Sequence, residues 1–205
     1  MISLGVGDCR VDILPVVSGL VTEADKVKEA YGRYDAYAVT LGIEGVEAIK
    51  HRKEIPDENY EVSEIDIVYA ERMSYWGEIQ IPNPAFCELV DLCTADGVSV
   101  IPLDMCDEDF DTAYMECVSA FQFTNQHRIA KKGMKVKLDM SSPEATACAW
   151  DEFVSQNKGL RKLDRFREAY IAKEITSTAK FRRSLLVVME VERVKGVTEA
   201  MGDGA

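Results

Sequence analysis

Polar residues directly follow four apolar segments that the sequence predicts as strands. Because ligands bind outside the carboxyl ends of parallel strands, we expect the residues at these ends to share one site. The candidates are Gly5, Gly7 and Asp8 after the first segment, Thr40 after the second, Asp104 after the third, and Glu190 and Glu192 after the fourth. Carboxylate oxygens suit hard cations, so Asp8, Asp104 and Glu192 are a candidate set for Mg²⁺ or Ca²⁺. The plainer interpretation is that polar residues simply begin where strands end.

Arg167 lies on the apolar stripe of a predicted helix. It is four residues from both Leu163 and Ile171, so helical geometry places it on the same side as those two residues. A guanidinium that faces a sheet needs a carboxylate or an anionic ligand, because burying it alone is very costly. Two interpretations stay open: Arg167 binds an anion, or it forms a structural ion pair or extends its charge to the surface.

The two glycines of LGVGDC, residues 4–9, are typical of a turn or of a close backbone approach. A phosphate-binding P-loop is excluded, because no lysine and hydroxyl follow at the required spacing. A dinucleotide fingerprint is disfavoured, because Arg10 replaces its third glycine and Thr40 ends the second strand in place of an acid. A nucleophilic thiol at Cys9 would want a histidine base, and none is close in the sequence.

Helical patterns separate the predicted strands, which cover residues 2–6, 36–41, 98–103 and 184–189. Each strand is an uninterrupted apolar run, which is typical of a parallel sheet with helices on both faces. The sequence therefore predicts an α/β fold with a mainly parallel sheet of about four or more strands flanked by helices. We interpret residues 1–205 as one domain, with a helical arm at approximately 107–160 inserted before the C-terminal helix and strand.

The formal net charge of −12 at pH 7 argues against nucleic acid or an anionic membrane as the main partner. A basic run at residues 128–137 is a local exception, and its simplest interpretation is a solvated helix end and loop. No segment approaches the roughly 20 apolar residues that cross a bilayer, and the N-terminus has no signal-peptide pattern. We therefore expect a cytoplasmic protein.

Its six cysteines form no C-x-x-C pair, and its two histidines are too few for a histidine-rich metal site.

The order of the elements and several short motifs resemble the TraB/PrgY family, which is related in fold to the Tiki metalloproteases and the ChaN and erythromycin-esterase-like proteins. In that family the first strand runs into G-x-x-H, and LGVGD is similar, with Asp8 at the histidine position. The family's second strand ends in a glutamate, where this chain has Thr40. The segment GVSVIPLD, which ends in Asp104, is similar to the family's third strand and its I-D-R.

Two later motifs carry the same resemblance. The segment FREAYIA is similar to the family pattern E-R-D-x-x-M-A, with Arg167 matching and Glu168 in place of the acid. The segment VMEVERVKGV follows the family's V-G-x-G-H-x-x-G and keeps its last glycine as Gly196. The positions that differ there are Glu190 and Glu192 at the glycines and Arg193 at the histidine.

The resemblance implies that the fold is kept while the histidines and the strand-two glutamate, the family's expected metal ligands, are gone. We therefore expect a non-catalytic protein without a cofactor, which binds a small anionic ligand or a protein partner at this edge. The alternative is a metal-dependent hydrolase whose Mg²⁺ or Ca²⁺ site is built only from the carboxylates of Asp8, Asp104, Glu190 and Glu192. A third hypothesis is that the helical arm mediates self-association and makes the protein a homo-oligomer.

Overall fold

The computed structural model describes residues 1–32, 34–54 and 62–203. Within these ranges five strands form one sheet in the spatial order β1-β2-β5-β3-β4. The strands are β1 (Ile2–Val6), β2 (Cys9–Val16), β3 (Ala36–Val39), β4 (Val100–Pro102) and β5 (Ser184–Glu190). Neighbouring strands are parallel, except that β1 is antiparallel to β2. The predicted α/β fold with a mainly parallel sheet is therefore confirmed.

Helices cover both faces of this sheet, as strands that are apolar on both sides require. In the described ranges they are α1 (Glu23–Ala30), α2 (Ile43–Lys50), α3 (Glu64–Met73), α4 (Pro84–Ala95), α5 (Asp107–Cys117), α6 (Ala120–Gly133), α7 (Pro143–Val154), α8 (Lys158–Ala179) and α9 (Val194–Asp203). α1, α2 and α4 pack on one face around Val39, Leu89 and Leu186. α8 and α9 pack on the other face around Ile175 and Val187. No helix among these is long and apolar enough to cross a membrane.

The first strand differs from the sequence prediction in its burial and its direction. β1 is a largely exposed edge strand, and Gly7 and Asp8 turn the chain back into β2 beside it. Gly7 has a φ of +58°, a left-handed conformation that glycine adopts without strain. Because β1 runs against the other strands, its carboxyl end lies at the opposite edge of the sheet from theirs.

β2 is the strand that the sequence analysis missed, because Arg10, Asp12 and Pro15 interrupt its apolar pattern. The Nε of Arg10 is 3.2 Å from Asp12 Oδ2, and the Tyr34 hydroxyl donates a 2.6 Å hydrogen bond to the same oxygen, so one oxygen of this buried carboxylate is compensated. The pairing of β1 with β2 stops at Ile13. On the side of β2 that faces β1, no described strand lies beside Pro15, so the missing N–H is tolerated there.

The chain between β4 and α8 forms α5, α6 and α7, over residues 107–154. α3 packs against α6 and α7 around Val68, Ala130 and Trp150, so this part of the molecule has an apolar cluster of its own. A side chain at Gly133 would collide with the Trp150 ring, which explains the glycine at the end of α6. The arm predicted at 107–160 ends just inside α8, which begins at Lys158.

Candidate functional site

The parallel strands end at one edge of the sheet, and most of the predicted site residues lie there. These residues are Thr40 after β3, Asp104 after β4, Glu190 at the end of β5, Glu192 and Arg193 in the 3₁₀ helix Val191–Arg193, and Arg167 from α8. Backbone hydrogen bonds continue the sheet beyond the ends of the strands and hold two of these site residues in place. The Thr40 N–H donates to the Val188 carbonyl at 3.3 Å, and the Asp104 N–H donates to the Leu41 carbonyl at 3.1 Å. We call this surface the carboxyl edge.

Arg167 forms an ion pair with Asp104. Its Nε donates a 3.0 Å hydrogen bond to Asp104 Oδ2, and its Nη2 donates to the same oxygen. The other carboxylate oxygen accepts the Met105 N–H at 2.8 Å, and the guanidinium lies 5.7 Å from the centre of the Phe110 ring. Burial lowers the pKa of Arg167, but the carboxylates of Asp104 and Glu190 together raise it above its usual value. This geometry favours the structural ion pair over the anion-binding interpretation of Arg167.

Arg193 lies among three carboxylates that come from α7 and α8. Its Nη2 is 3.0 Å from Asp151 Oδ1, and its Nη1 is 2.9 Å from Asp164 Oδ1 and 3.6 Å from Glu168 Oε1. Only 12% of the Arg193 side chain is exposed. Burial raises the pKa of all three carboxyl groups, and the attraction of Arg193 lowers it by less. One guanidinium therefore faces more negative charge than it can neutralise.

Glu192 has a carboxylate oxygen, Oε2, that is buried without a hydrogen-bond partner among the described residues. Neighbouring Glu190 is better satisfied, because the Thr40 hydroxyl donates to its Oε2. Burial, and then the negative charge of Glu190, raise the pKa of Glu192 to about 7. Glu192 therefore gains and loses its proton near neutral pH.

Glu192 lines a cleft of about 780 Å³, which we call the Glu192 cleft. Its walls come from α7, from residues 136–138 after α6 and from the residues that follow β5. The inner lining includes Glu192 and Asp151, whereas Lys137, Arg161 and Lys195 are exposed residues of its rim. The cleft therefore combines partly buried carboxyl groups with exposed side chains of both signs, three of them cations and one the carboxylate of Glu152.

Sequence reasoning missed two groups at the carboxyl edge. Glu23, in the first turn of α1, is 2% exposed, with Oε1 2.8 Å from Lys26 Nζ and Oε2 without a partner in the described ranges. Tyr69 of α3 lies close enough to Glu192 that burial and this carboxylate together raise the pKa of its hydroxyl above the usual value. Neither group was distinctive in the sequence, because acids are common in first helical turns and Tyr69 matched the apolar stripe of its helix.

Gly5, Gly7 and Asp8 do not lie at the carboxyl edge. They belong to β1 and to its turn into β2, beside the start of β5. β2 has 8 residues, so at about 3.3 Å per residue its length of roughly 25 Å separates Asp8 from Glu190 at the end of β5. The expectation that these three residues share a site with the other strand ends is wrong, because β1 runs in the opposite direction.

The proposed metal sites depend on Asp8 and are incompatible with this topology. Neither the set of Asp8, Asp104 and Glu192 nor the same set with Glu190 added converges on one point. Across the described part of the chain, no group of three or more His, Cys, Asp or Glu side chains is arranged to hold a metal ion. The residues present therefore do not fit the carboxylate-only Mg²⁺ or Ca²⁺ site expected under the hydrolase alternative.

Neither a family model, nor a curated protein, nor a solved structure matches this chain. The TraB/PrgY resemblance therefore stays a prediction that rests on its short motifs. The motif LGVGD does not lie where the resemblance implies. Gly5 and Asp8 belong to β1 and its turn, whereas the strand that leads into α1 at the carboxyl edge is β2. Gly196 has a local structural reason, since a side chain there would collide with the Glu168 carboxylate.

Proposed function

We propose that this protein binds a small zwitterion in the Glu192 cleft and does not convert it chemically. The ammonium end of the ligand binds Glu192, and the anionic end binds the cations of the rim. The observation that carries the proposal is that Glu192 lines a cleft of about 780 Å³ while its Oε2 has no hydrogen-bond partner among the described residues. Small-molecule sites in proteins generally measure about 300–1,000 Å³, so the cleft has a suitable size.

The inner end of the cleft favours a cationic donor. A carboxylate oxygen that is buried without a partner is unfavourable, because it has lost its hydrogen bonds to water and gained none from the protein. An ammonium group supplies a hydrogen-bond donor and a positive charge together. It also offsets the repulsion between Glu192 and Glu190, which contributes to the raised pKa of Glu192. We therefore expect ligand binding to favour the ionised form of Glu192.

The rim of the cleft supplies the second contact. Lys137 and Arg161 are exposed there, and a guanidinium matches the two oxygens of a carboxylate. Lys195 is less suited to this role, because its Nζ already lies 3.9 Å from Glu199 Oε1. The two ends of the cleft thus favour a ligand with opposite charges at its ends.

The carboxyl edge disfavours a ligand that is only anionic. Its two buried cations, Arg167 and Arg193, already contact carboxylates of the protein. A simple anion would approach Glu190 and Glu192 without compensation for their charge. We therefore narrow the small anionic ligand expected from the sequence to one that also carries a positive group.

The non-catalytic part of the proposal is supported by the TraB/PrgY resemblance, which implies that the metal ligands are lost. One observation favours a second candidate, in which Glu192 performs acid–base catalysis on the bound ligand: a carboxyl pKa of about 7 suits proton transfer at neutral pH. NMR spectra of the ligand, recorded over hours with the protein, separate these functions. An unchanged ligand supports binding alone, and a product that forms only with the protein supports catalysis.

The direct test uses ligand-observed NMR with three matched series of probes. These are ω-amino carboxylates of increasing chain length, the corresponding alkylamines and the corresponding alkyl carboxylates. We expect one chain length among the ω-amino carboxylates to bind at least about fivefold more tightly than its amine or its carboxylate, since both ends contribute charge-assisted hydrogen bonds. Equal binding of the carboxylate alone would contradict the role given to Glu192.

Two variants locate the binding. Glu192→Gln removes the inner charge and should abolish the preference for ω-amino carboxylates over alkyl carboxylates. Glu152→Gln is the matched control, because Glu152 lines the same cleft but is exposed. We expect this control to bind like the wild type, and equal losses in the two variants would show that binding follows general charge and not the Glu192 contact.

A further inference from the structure

A second cavity, of about 670 Å³, lies between β1, α8 and α9. Part of its wall is apolar and consists of Leu4 and Val6 of β1, Ala172 of α8 and Met201 of α9. Three of these side chains are only partly buried, because β1 is the edge strand and nothing else in the described ranges covers this wall. We call this cavity the α8–α9 groove. It shares no lining residue with the Glu192 cleft.

The charged side chains that line the α8–α9 groove are both cationic. They are Lys173 and Lys180, and no acidic residue of the described ranges lines the groove. This is unusual in a chain with 36 acidic residues and 24 lysines and arginines. The lysines are seven residues apart, Lys173 within α8 and Lys180 directly after its last residue, which places them on one side of the helix and about 10 Å apart along its axis. Ser177 lies between them on the same side, also within the groove.

These polar groups are available to a ligand. Both lysines are exposed, and neither forms an ion pair with a described acidic side chain. The hydroxyls of Thr176 and Thr198, which also line the groove, donate hydrogen bonds to carbonyl groups of their own helices. Ser177 is therefore the hydroxyl of the groove that can donate to a ligand. The groove presents two ammonium groups and one hydroxyl next to an apolar wall.

We propose that the α8–α9 groove binds an acyl carboxylate, that is, a single hydrocarbon chain that ends in a carboxylate. The carboxylate lies between Lys173 and Lys180 and accepts a hydrogen bond from Ser177. The hydrocarbon chain lies against Leu4 and Met201 and covers apolar surface that water otherwise contacts. A purely ionic ligand would leave the apolar wall exposed, and a neutral hydrocarbon would leave the lysines without a partner.

Calorimetric titration of the full chain with decanoate, below its micelle-forming concentration, tests this proposal. Decan-1-ol keeps the chain without the charge, and acetate keeps the charge without the chain. Decanoate should bind about tenfold more tightly than either, because each lacks one of the two contacts. Binding of decan-1-ol as tight as that of decanoate would overturn the proposal, and so would the absence of decanoate binding.

Variants on α8 locate the site. Lys173→Gln combined with Lys180→Gln should weaken decanoate binding by about tenfold, because the carboxylate loses both cations. The matched control combines Lys158→Gln with Lys162→Gln, which removes the same charge from exposed positions at the other end of the helix. Ala169→Trp, at an exposed position of the groove, should block it without altering charge. Equal weakening in both lysine pairs, or unchanged binding in Ala169→Trp, would place the ligand elsewhere and overturn the proposal.

Discussion

The two ends of the sheet carry similar sequence motifs and have different structures. At the carboxyl edge, an apolar strand followed by an acid places Asp104 in a buried ion pair with Arg167. At the opposite end, LGVGD has the same pattern, yet Gly7 and Asp8 form an exposed turn between β1 and β2. The difference lies in the direction of β1. Here the acid that follows a parallel strand lies at the carboxyl edge, and the acid that follows the antiparallel strand does not.

The two ends also differ in how their charges are compensated. Charges at the exposed turn are solvated, so each contributes little to stability. At the carboxyl edge, two buried guanidinium groups face a larger number of carboxyl groups, and Glu192 Oε2 has no partner among the described residues. Buried charges are costly when their partners are removed, so the carboxyl edge should be sensitive to substitution and the turn should be tolerant.

The largest expected effect is that of Arg193→Met. This variant leaves Asp151, Asp164 and Glu168 without their shared cation, so it should lower the free energy of unfolding at pH 7 by about 3–5 kcal/mol. Urea denaturation followed by circular dichroism measures it. Arg165→Met, at an exposed position of α8, is the control and should change stability by less than about 0.5 kcal/mol. A similarly small loss for Arg193→Met would show that the cluster contributes no net stability.

Glu192→Gln should raise stability above neutral pH. The pKa of this carboxyl is about 7 in the folded protein and near 4.5 in an unfolded chain, so the folded state keeps a proton that the unfolded state loses in this window. Wild-type stability therefore falls as pH rises from about 4.5 to 7, and the glutamine variant lacks this contribution. At pH 8 the variant should be more stable by about 3 kcal/mol.

Urea denaturation of wild type and Glu192→Gln at pH 4.5 and pH 8 measures this difference. Asp151, Asp164 and Glu168 titrate in both proteins, so the comparison between the two isolates position 192. If the free energies of unfolding of the two proteins differ by the same amount at pH 4.5 and at pH 8, Glu192 titrates as an exposed glutamate does.

The Arg167–Asp104 pair should show a smaller, mutual dependence. Arg167→Met and Asp104→Asn each leave one buried partner without its counterpart, whereas the double variant removes both. We expect a coupling free energy of about 1–2 kcal/mol from a double-mutant cycle at pH 7. A coupling free energy of zero would mean that the ion pair does not stabilise the folded state. That result would favour the interpretation in which Arg167 binds an anion.

The smallest expected effect is that of Asp8→Ala. Asp8 is exposed in the turn between β1 and β2, so its loss should change the free energy of unfolding by less than about 0.5 kcal/mol. Binding of ω-amino carboxylates should also be unchanged, since the length of β2 separates Asp8 from the carboxyl edge. Loss of that binding in Asp8→Ala would contradict the sheet topology and would show that Asp8 belongs to the ligand site at the carboxyl edge.

The strands that the sequence predicted are continuous apolar runs, and the strand that it missed is not. β2 contains Arg10, Asp12 and Pro15. Arg10 and Asp12 pair with each other, and Pro15 lies beyond the last residue that pairs with β1. These contacts depend on the folded structure and are not visible in the local sequence. The ends of β3, β4 and β5 were predicted well enough to place Thr40, Asp104 and Glu190 together. The direction of β1 was not predictable in the same way, because it depends on pairing with an unrecognised strand.

The inward position of Arg167 was also visible in the sequence, through its spacing from Leu163 and Ile171. Its partner was not, because Asp104 lies 63 residues away in another element. Asp164 offered an unused signal, since it stands one helical turn before Arg167 and faces the same edge. The burial of Glu192 and its missing partner depend on the packing of α7 against the 3₁₀ helix that follows β5, which no local pattern encodes.

The pKa of Glu192 tests the central claim most directly. Carbon-detected NMR of the glutamate carboxyl groups, assigned by comparison with Glu192→Gln, can follow its titration with and without the best-binding ω-amino carboxylate. We predict a pKa of about 7 in the free protein, raised by burial and by Glu190, and a lower pKa in the complex, where an ammonium group stabilises the ionised form. An ordinary glutamate pKa in the free protein, or one that the ligand leaves unchanged, would contradict the account.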